Sequence, residues 1–331
     1  MRSILSFASL ALALNLAAQA APEKMQAVEV GQGGLSVQTR PVPRPGAGEV
    51  LIKVRAAGVN PVDWKTALRR LGMVPGKDVS GTIDRLGEGV SGWKVGDPVL
   101  GFAHGSGSYA EYAVISVTDL SRKPKSMTFE QAAGLPIAAE TAYRALHEAG
   151  HIERGQTVLI HGAAGGVGSS AVQIAKAAGA RVIGTASPNN HEFLRSLGVD
   201  QVIDYKSQKF EDVVKNVDLA LNTVDADTTA RSIVVVRPGG ALVSIAGPLP
   251  NPQACAAAKI RCLRPNRETG ATTAEILERV VELADSGKLK VFVEATYSLA
   301  DAGKAWDKNR EGHTRGKLII VVSEGPTMKH Q

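Results

Sequence analysis

A strand, a glycine-rich turn and a helix, one after another, constrain the fold of this 331-residue chain more than any other feature. Residues 157–161 read as a buried strand, and residues 167–178 have the spacing of a helix. Gly165 allows the backbone to approach a phosphate closely, and Gly168 allows the helix to pack closely on the strand. The helix would then present free N–H groups and the positive end of its dipole to the turn.

This arrangement predicts a site for the pyrophosphate of a dinucleotide. Ala163 occupies the place of the first glycine in the common G-x-G-x-x-G pattern, so the strand and helix around the turn carry the prediction. A tight turn that binds no ligand is the alternative. The residues predicted to hold the cofactor here are Ala163, Ala164, Gly165, Gly166, Val167 and Gly168.

The next predicted strand, residues 182–185, indicates which dinucleotide is bound. Enzymes that use NAD usually place Asp or Glu at the end of this strand, because a carboxylate holds the ribose 2′-hydroxyl. This chain has no acid there, and Ser187 is a small donor that suits a 2′-phosphate. His191, Tyr205 and Lys206 could close around that phosphate. The sequence therefore predicts NADPH as the cofactor.

The order of predicted elements indicates an α/β protein. From residue 128 onward, strands and helices alternate, which is typical of a parallel sheet with helices on both faces. Residues 25–117 instead contain short β segments interrupted by Gly and Pro, which predict a small barrel. We therefore expect a β-rich domain beside a doubly wound parallel sheet.

Composition excludes several classes of protein. The net charge of +6 is spread along the chain and only 4% of residues are aromatic, which argues against nucleic-acid binding. The chain has two cysteines, too few for a four-cysteine zinc lobe. Cys255 and Cys262 could form a disulfide if the chain is exported, or could remain two separate side chains.

The first residues resemble a secretory signal peptide. Residues 4–14 are mostly apolar, and Ala18 and Ala20 fit the rule for cleavage after small residues. The sequence predicts cleavage after Ala20 and export to the periplasm or the medium. The apolar segment is too short to span a bilayer, so we expect no stable membrane insertion. A true start at Met25, which would leave a cytoplasmic enzyme, is the alternative.

Residues 147–151 match the H-E-x-x-H signature of zinc proteases. That chemistry needs both histidines on one face of a helix. Gly150 is predicted to end the helix just before His151, so we interpret the match as the end of a helix without a metal.

Six segments in order resemble the zinc-free medium-chain dehydrogenase/reductases, near the quinone oxidoreductases and plant 2-alkenal reductases. The resemblance covers nearly all of residues 25–322. The segments are GVNPVDWK at 58–65, PGKDVSG at 75–81, GSYAEY at 107–112, AAGLPIAAET at 132–141, AAGGVG at 163–168 and GHTRGK at 312–317.

The resemblance implies a domain organisation and a set of roles. It implies a GroES-like catalytic domain over 25–143, to which residues 296–325 return, and a Rossmann cofactor domain over 144–295. It also implies NADPH as the hydride donor and a homodimer.

Asn60 and Thr141 occupy positions that lie near the nicotinamide and its ribose in similar enzymes. Ser187, His191 and Tyr205 occupy positions that contact the 2′-phosphate in quinone oxidoreductases. Asn60 stands where zinc-dependent relatives have a cysteine ligand, so no catalytic metal is expected.

The predicted reaction is hydride transfer from NADPH to a small electrophile, either an α,β-unsaturated carbonyl or a quinone. Charge builds on the carbonyl oxygen as hydride arrives, so a hydrogen-bond donor is needed there. Lys65 is the first candidate because it follows Asn60 by five residues, and Tyr109 is the second. A quinone reductase proper and an NADPH-binding sensor without turnover are the alternatives.

Overall fold

The computed structural model describes residues 22–67, 70–103, 105, 107–268 and 270–322. It confirms the predicted α/β class, with a mostly antiparallel sheet and a parallel sheet. The predicted signal peptide and its cleavage site lie outside the described residues. None of the helices in the described part of the chain is long and apolar enough to cross a membrane.

The first part of the chain is rich in β structure. Strands β1 and β2 form an antiparallel hairpin, and β3 pairs with both β4 and β6 in a larger sheet. One helix, α1, follows β3 directly and carries the predicted donor Lys65. The elements are β1 (Lys24–Gly31), β2 (Gly34–Pro41), β3 (Glu49–Val59), α1 (Pro61–Ala67), β4 (Asp78–Leu86), β5 (Pro98–Phe102), β6 (Tyr112–Ser116) and β7 (Leu120–Arg122).

The helical stretch over residues 129–149 is divided in the structure. Helix α2 (Phe129–Ala133) ends at Gly134, α3 (Pro136–Tyr143) follows, and a π-helical segment (Arg144–Ala149) completes it. The break precedes Pro136 because proline has no N–H to continue the helical hydrogen bonds. It leaves the backbone N–H of Ile137 free to donate to the buried carboxylate of Asp78 at 2.9 Å.

A six-stranded parallel sheet forms the second layer, in the order β10-β9-β8-β11-β12-β13. The chain order reverses between β8 and β11, where a crevice opens at the carboxyl ends of the strands. The elements are β8 (Thr157–His161), α4 (Gly166–Ala177), β9 (Arg181–Ala186), α5 (His191–Ser196), β10 (Gln201–Asp204), α6 (Phe210–Val213), β11 (Val217–Asn222), α7 (Ala226–Ser232), β12 (Val236–Ser244), α8 (Pro252–Ala257) and β13 (Arg261–Leu263).

The end of the chain pairs with the first sheet. After α9 (Thr273–Asp285) come β14 (Val293–Ser298), α10 (Ala302–Arg310) and β15 (Lys317–Val321). Strand β15 pairs in parallel with β14 and antiparallel with β3. The return places the start of β15 beside the glycine-rich turn, because Gly316 and Gly165 form an isolated bridge. The exact domain boundaries stay a prediction.

Candidate active site

The glycine-rich turn leaves the N-terminus of α4 open. Gly165 caps the helix in an extended conformation and no side chain bonds to the helix end. A Cβ at Gly165 would meet only a carbonyl oxygen, at 3.5 Å, so its backbone is accessible on that side. A Cβ at Gly168 would lie 2.2 Å from the carbonyl oxygen of Gly162, so only glycine lets the helix pack this closely. The first N–H groups of α4 thus remain available to an anion.

His161, at the end of β8, directly precedes this turn. The sequence analysis did not identify His161 as a residue of the site. Its ring lies 3.0 Å from the Ser232 hydroxyl and 3.3 Å from the Thr185 hydroxyl, and the side chain is buried. Burial lowers the pKa of His161 to about 3, so the ring is neutral at physiological pH. The only signal in the sequence is a histidine between a buried strand and a glycine.

The end of β9 faces a cavity of about 650 Å³. Ser187 and Lys206 line this cavity, so the structure brings together two of the residues considered for the 2′-phosphate. Tyr205 is 49% exposed beside them. His191 begins α5, and its buried Nε2 has no hydrogen-bond partner among the described residues. Their roles in binding remain predictions.

Asn60 lies in a buried polar cluster with Asp78 and Lys317. Its amide nitrogen donates to the Asp78 carboxylate at 2.9 Å, and its amide oxygen accepts from the Lys317 ammonium at 2.5 Å. The ammonium also lies 3.3 Å from Asp78. The stem of Lys317 packs against Gly166, where a Cβ would come within 2.9 Å of it. Lys317 therefore connects Asn60 to the glycine-rich turn, a contact that sequence reasoning missed.

Tyr109, the second candidate donor, has its hydroxyl group engaged. The hydroxyl donates to the Asp63 carboxylate at 2.9 Å and accepts from the Trp306 indole at 3.3 Å. Burial holds the pKa of Tyr109 well above its usual range. These contacts make Tyr109 part of the packing between α1 and α10, and its catalytic role stays a prediction.

Lys65, the first candidate donor, lies exposed in the last turn of α1. Its ammonium is 5.2 Å from the centre of the Trp64 ring. No hydrogen bond between described residues joins it to Asn60, so its role also stays a prediction.

Thr141 lies half-buried in α3, next to a buried ionic cluster. Its neighbour Glu140 accepts hydrogen bonds from Arg144 at 2.6 Å and from Arg267 at 2.6 Å. The Arg267 guanidinium also stacks over the Phe102 ring at 4.5 Å. The cluster joins α3 to the loop after β13.

The H-E-x-x-H match is the end of a helix, as predicted. The helical segment ends at Ala149 with Gly150 as its cap, and His151 adopts a left-handed conformation with φ of 53°. His147 stacks on Tyr143, with 4.3 Å between ring centres. Across the described residues, no group of three or more His, Cys, Asp or Glu side chains could hold a metal ion.

Cys255 and Cys262 form a disulfide, which decides between the two alternatives left by the sequence. It joins α8 to β13, the outer strand of the parallel sheet in the described chain. The buried Cys255 packs in the apolar core on one face of that sheet.

Known proteins share this fold. Residues 46–125 match the alcohol dehydrogenase GroES-like domain, and residues 197–320 match the zinc-binding dehydrogenase family. The 2-methylene-furan-3-one reductase of Solanum lycopersicum is 34% identical over 291 residues, 82% of this chain and 71% of that protein. The mitochondrial NAD(P)H oxidoreductase RTN4IP1 of Danio rerio is 32% identical over 325 residues, 83% of this chain and 84% of that protein.

A solved structure agrees over almost the whole chain. The quinone oxidoreductase of Coxiella burnetii superimposes with a TM-score of 0.82 and 32% identity, covering 91% of this chain and all (100%) of that one. The chain belongs to the medium-chain dehydrogenase/reductase superfamily. As a quinone oxidoreductase-like member of it, the protein is an oxidoreductase that uses a nicotinamide cofactor.

The residues of this dehydrogenase/reductase fit such a cofactor. The uncapped α4, the open side of Gly165 and the unpartnered Nε2 of His191 are the features that a dinucleotide would satisfy. They fit a catalytic zinc at Asn60 poorly, because the amide oxygen of Asn60 already accepts a hydrogen bond from the Lys317 ammonium group. That ammonium group occupies the position beside the oxygen where a metal ion would have to bind.

Proposed function

We propose that the protein is an NADPH-dependent reductase of α,β-unsaturated carbonyl compounds or quinones that acts without a catalytic metal. The observation that carries the proposal is the uncapped α4 beside a β9 that ends at Ala186 and is followed by Ser187, with no carboxylate at either position. The first feature suits a pyrophosphate and the second suits a phosphorylated ribose.

The preference for NADPH rests on charge. A carboxylate at the end of β9 would repel a 2′-phosphate, whereas Ser187 and Lys206 lining the cavity offer a hydroxyl group and a positive charge. One charged contact of this kind contributes roughly 1–3 kcal/mol, or about one to two orders of magnitude in affinity.

The acceptor class rests on what the relatives reduce and on the chemistry that these acceptors share. A furanone with a conjugated methylene and a quinone both carry an alkene conjugated to a carbonyl. When bound, NADPH supplies a hydride with its two electrons, and the acceptor takes up one proton as well, which leaves NADP⁺ and the reduced product. The protein must stabilise the charge that builds on the carbonyl oxygen.

Two cationic side chains stand near the predicted nicotinamide site. Lys317 is buried and engaged by Asn60 and Asp78, so it fixes the position of the Asn60 amide. Lys65 is exposed on α1, the helix that directly follows Asn60. We propose that Lys65 donates a hydrogen bond to the carbonyl oxygen of the acceptor, and that the bound substrate displaces water from around this contact.

A panel of acceptors with purified protein tests this function. We expect NADPH oxidation with 2-alkenals, cyclic enones or quinones, and no oxidation with the matching saturated carbonyls. In the same panel Lys65→Met is expected to lose about 10²–10³ in kcat with nearly unchanged NADPH affinity, since one oxyanion donor is removed.

Lys94→Met, which removes an exposed lysine from the loop between β4 and β5, is the matched control and should retain full turnover. Turnover of quinones alone would identify a quinone reductase proper. NADPH binding without turnover of any acceptor would identify a sensor and refute the enzyme. Full activity of Lys65→Met on both acceptor classes would refute only the role of Lys65.

We also propose export and homodimer formation. The Cys255–Cys262 disulfide supports export, because disulfides persist mainly in oxidising compartments. Strand β13 offers its outer edge to a second copy of the chain. Sequencing the N-terminus of the mature protein should give Ala21, and a mature chain that begins at Met25 would contradict export.

A further inference from the structure

The segment that leads into β15 is fixed on the glycine-rich turn. The backbone N–H of Gly316 donates to the carbonyl oxygen of Ala164 at 2.8 Å. Gly316 has a φ of 69°, and a Cβ there would lie 2.2 Å from the carbonyl oxygen of Phe292. Glycine is therefore required at position 316. The tight turn fixes the backbone position of the preceding residue, Arg315.

Arg315 reaches from this turn to the loop after β9. Its Nη2 donates to the carbonyl oxygen of Asn189 at 2.8 Å, and its Nε donates to the side-chain oxygen of Asn190 at 2.8 Å. The guanidinium also lies 5.4 Å from the centre of the Phe193 ring. Arg315 thus spans the interval between the predicted pyrophosphate site and the predicted ribose site.

The guanidinium group of Arg315 is held by hydrogen bonds to neutral groups. Among the described residues Arg315 forms no ion pair, and Glu294 instead accepts from its backbone N–H at 2.7 Å. Arg315 and Lys206 line the same cavity as Ser187. Glu294 lines it too, with its carboxylate held by the Arg315 backbone N–H. In the described part of the chain, the cavity therefore has two cationic side chains without ion pairs against one carboxylate, a balance that favours an anionic ligand.

The chemistry of arginine narrows the choice of anion. Nε and Nη2 of Arg315 already donate to Asn190 and Asn189, which leaves Nη1 and the second N–H of Nη2 as coplanar donors for two oxygens of one phosphate. An ammonium group, by contrast, acts as a point charge. Thr314, the neighbour of Arg315, has a buried hydroxyl without a hydrogen-bond partner in the described structure. The buried Nε2 of His191, at the start of α5, is also without one.

We propose that Arg315 determines the preference for the 2′-phosphate of the cofactor, an inference that rests on the proposed NADPH-dependent function. Arg315 belongs to the segment that returns to the first sheet, whereas Ser187 and Lys206 follow strands of the parallel sheet. Cofactor specificity is therefore a property of both parts of the chain together.

Calorimetry with cofactor fragments tests Arg315 without any turnover. The probes are 2′,5′-ADP, which carries the 2′-phosphate, and 5′-ADP, which lacks it. We expect wild type to bind 2′,5′-ADP about 10- to 100-fold more tightly than 5′-ADP, and Arg315→Gln to lose most of this difference. Arg315→Lys should retain part of it, since the charge remains but the planar donors are lost. Lys304→Gln removes an exposed charge on α10 and should behave as wild type.

The outcomes separate the inference from the proposed function. Equal weakening of both probes in Arg315→Gln would place Arg315 at the pyrophosphate and overturn its role in specificity. An unchanged ratio in Arg315→Gln would overturn the inference while leaving NADPH dependence intact. A wild-type protein that binds both probes equally would refute the NADPH preference itself. An unchanged melting temperature confirms that the variant is folded.

Discussion

The carboxyl group of Asp63 is enclosed by the protein and should make stability depend on pH. Burial, and next the charge of Asp78, raise its pKa from 3.8 to about 7. The folded state therefore holds this proton to a higher pH than the unfolded chain does. Stability from this group is fully present below about pH 4 and is lost as the pH rises through about 7, an effect on the order of 4 kcal/mol.

Replacing Asp63 by asparagine should remove this dependence. The Asp63→Asn variant cannot ionise, so its stability relative to wild type should increase between pH 5 and pH 8. Urea unfolding of both proteins across this range measures the difference. Asp212→Asn, on the exposed side of α6, serves as control and should show no such trend. A constant difference between Asp63→Asn and wild type would contradict the buried, proton-binding carboxyl.

His161 contributes the opposite dependence. Its pKa is lowered by burial, so the unfolded chain binds its proton more readily and stability falls as the pH drops below about 6.5. The pairwise comparison of Asp63→Asn with wild type isolates Asp63, because His161 is common to both proteins.

At the scale of elements, the sequence predicts features that depend on neighbouring residues and misses contacts between residues far apart in the chain. The turn at 162–165 and the strands beside it are predicted because each depends on a few neighbouring residues, whereas the return of the chain end to the first sheet is implied only by the family resemblance. The division of α2 from α3 leads to a hydrogen bond from Ile137 to Asp78, 59 residues away, which no local pattern indicates.

The candidate site shows the same limit. The residues of the turn and Ser187 follow from local sequence, whereas Lys317 meets Asn60 across 257 residues and Arg315 meets Asn190 across 125. No periodicity in the sequence reports such pairs. Their only signal was the segment 312–317, which the family resemblance marked without assigning roles to its side chains.

At the scale of the whole molecule, the two sheets meet where the cofactor is proposed to bind. The parallel sheet supplies the turn and the end of β9, and the returning chain supplies Arg315 and Lys317. Binding and specificity therefore depend on contacts between the two sheets rather than on either alone. A substitution that breaks the hydrogen bond between Gly316 and Ala164 should therefore weaken both cofactor binding and cofactor specificity.

The cofactor preference of the wild-type enzyme tests the central claim most directly. We would measure kcat/KM for NADPH and for NADH with one enone at saturating concentration. The missing carboxylate at the end of β9 and the cations of the cavity predict a preference of about 10- to 100-fold for NADPH. Equal values for the two cofactors, or a preference for NADH, would contradict it.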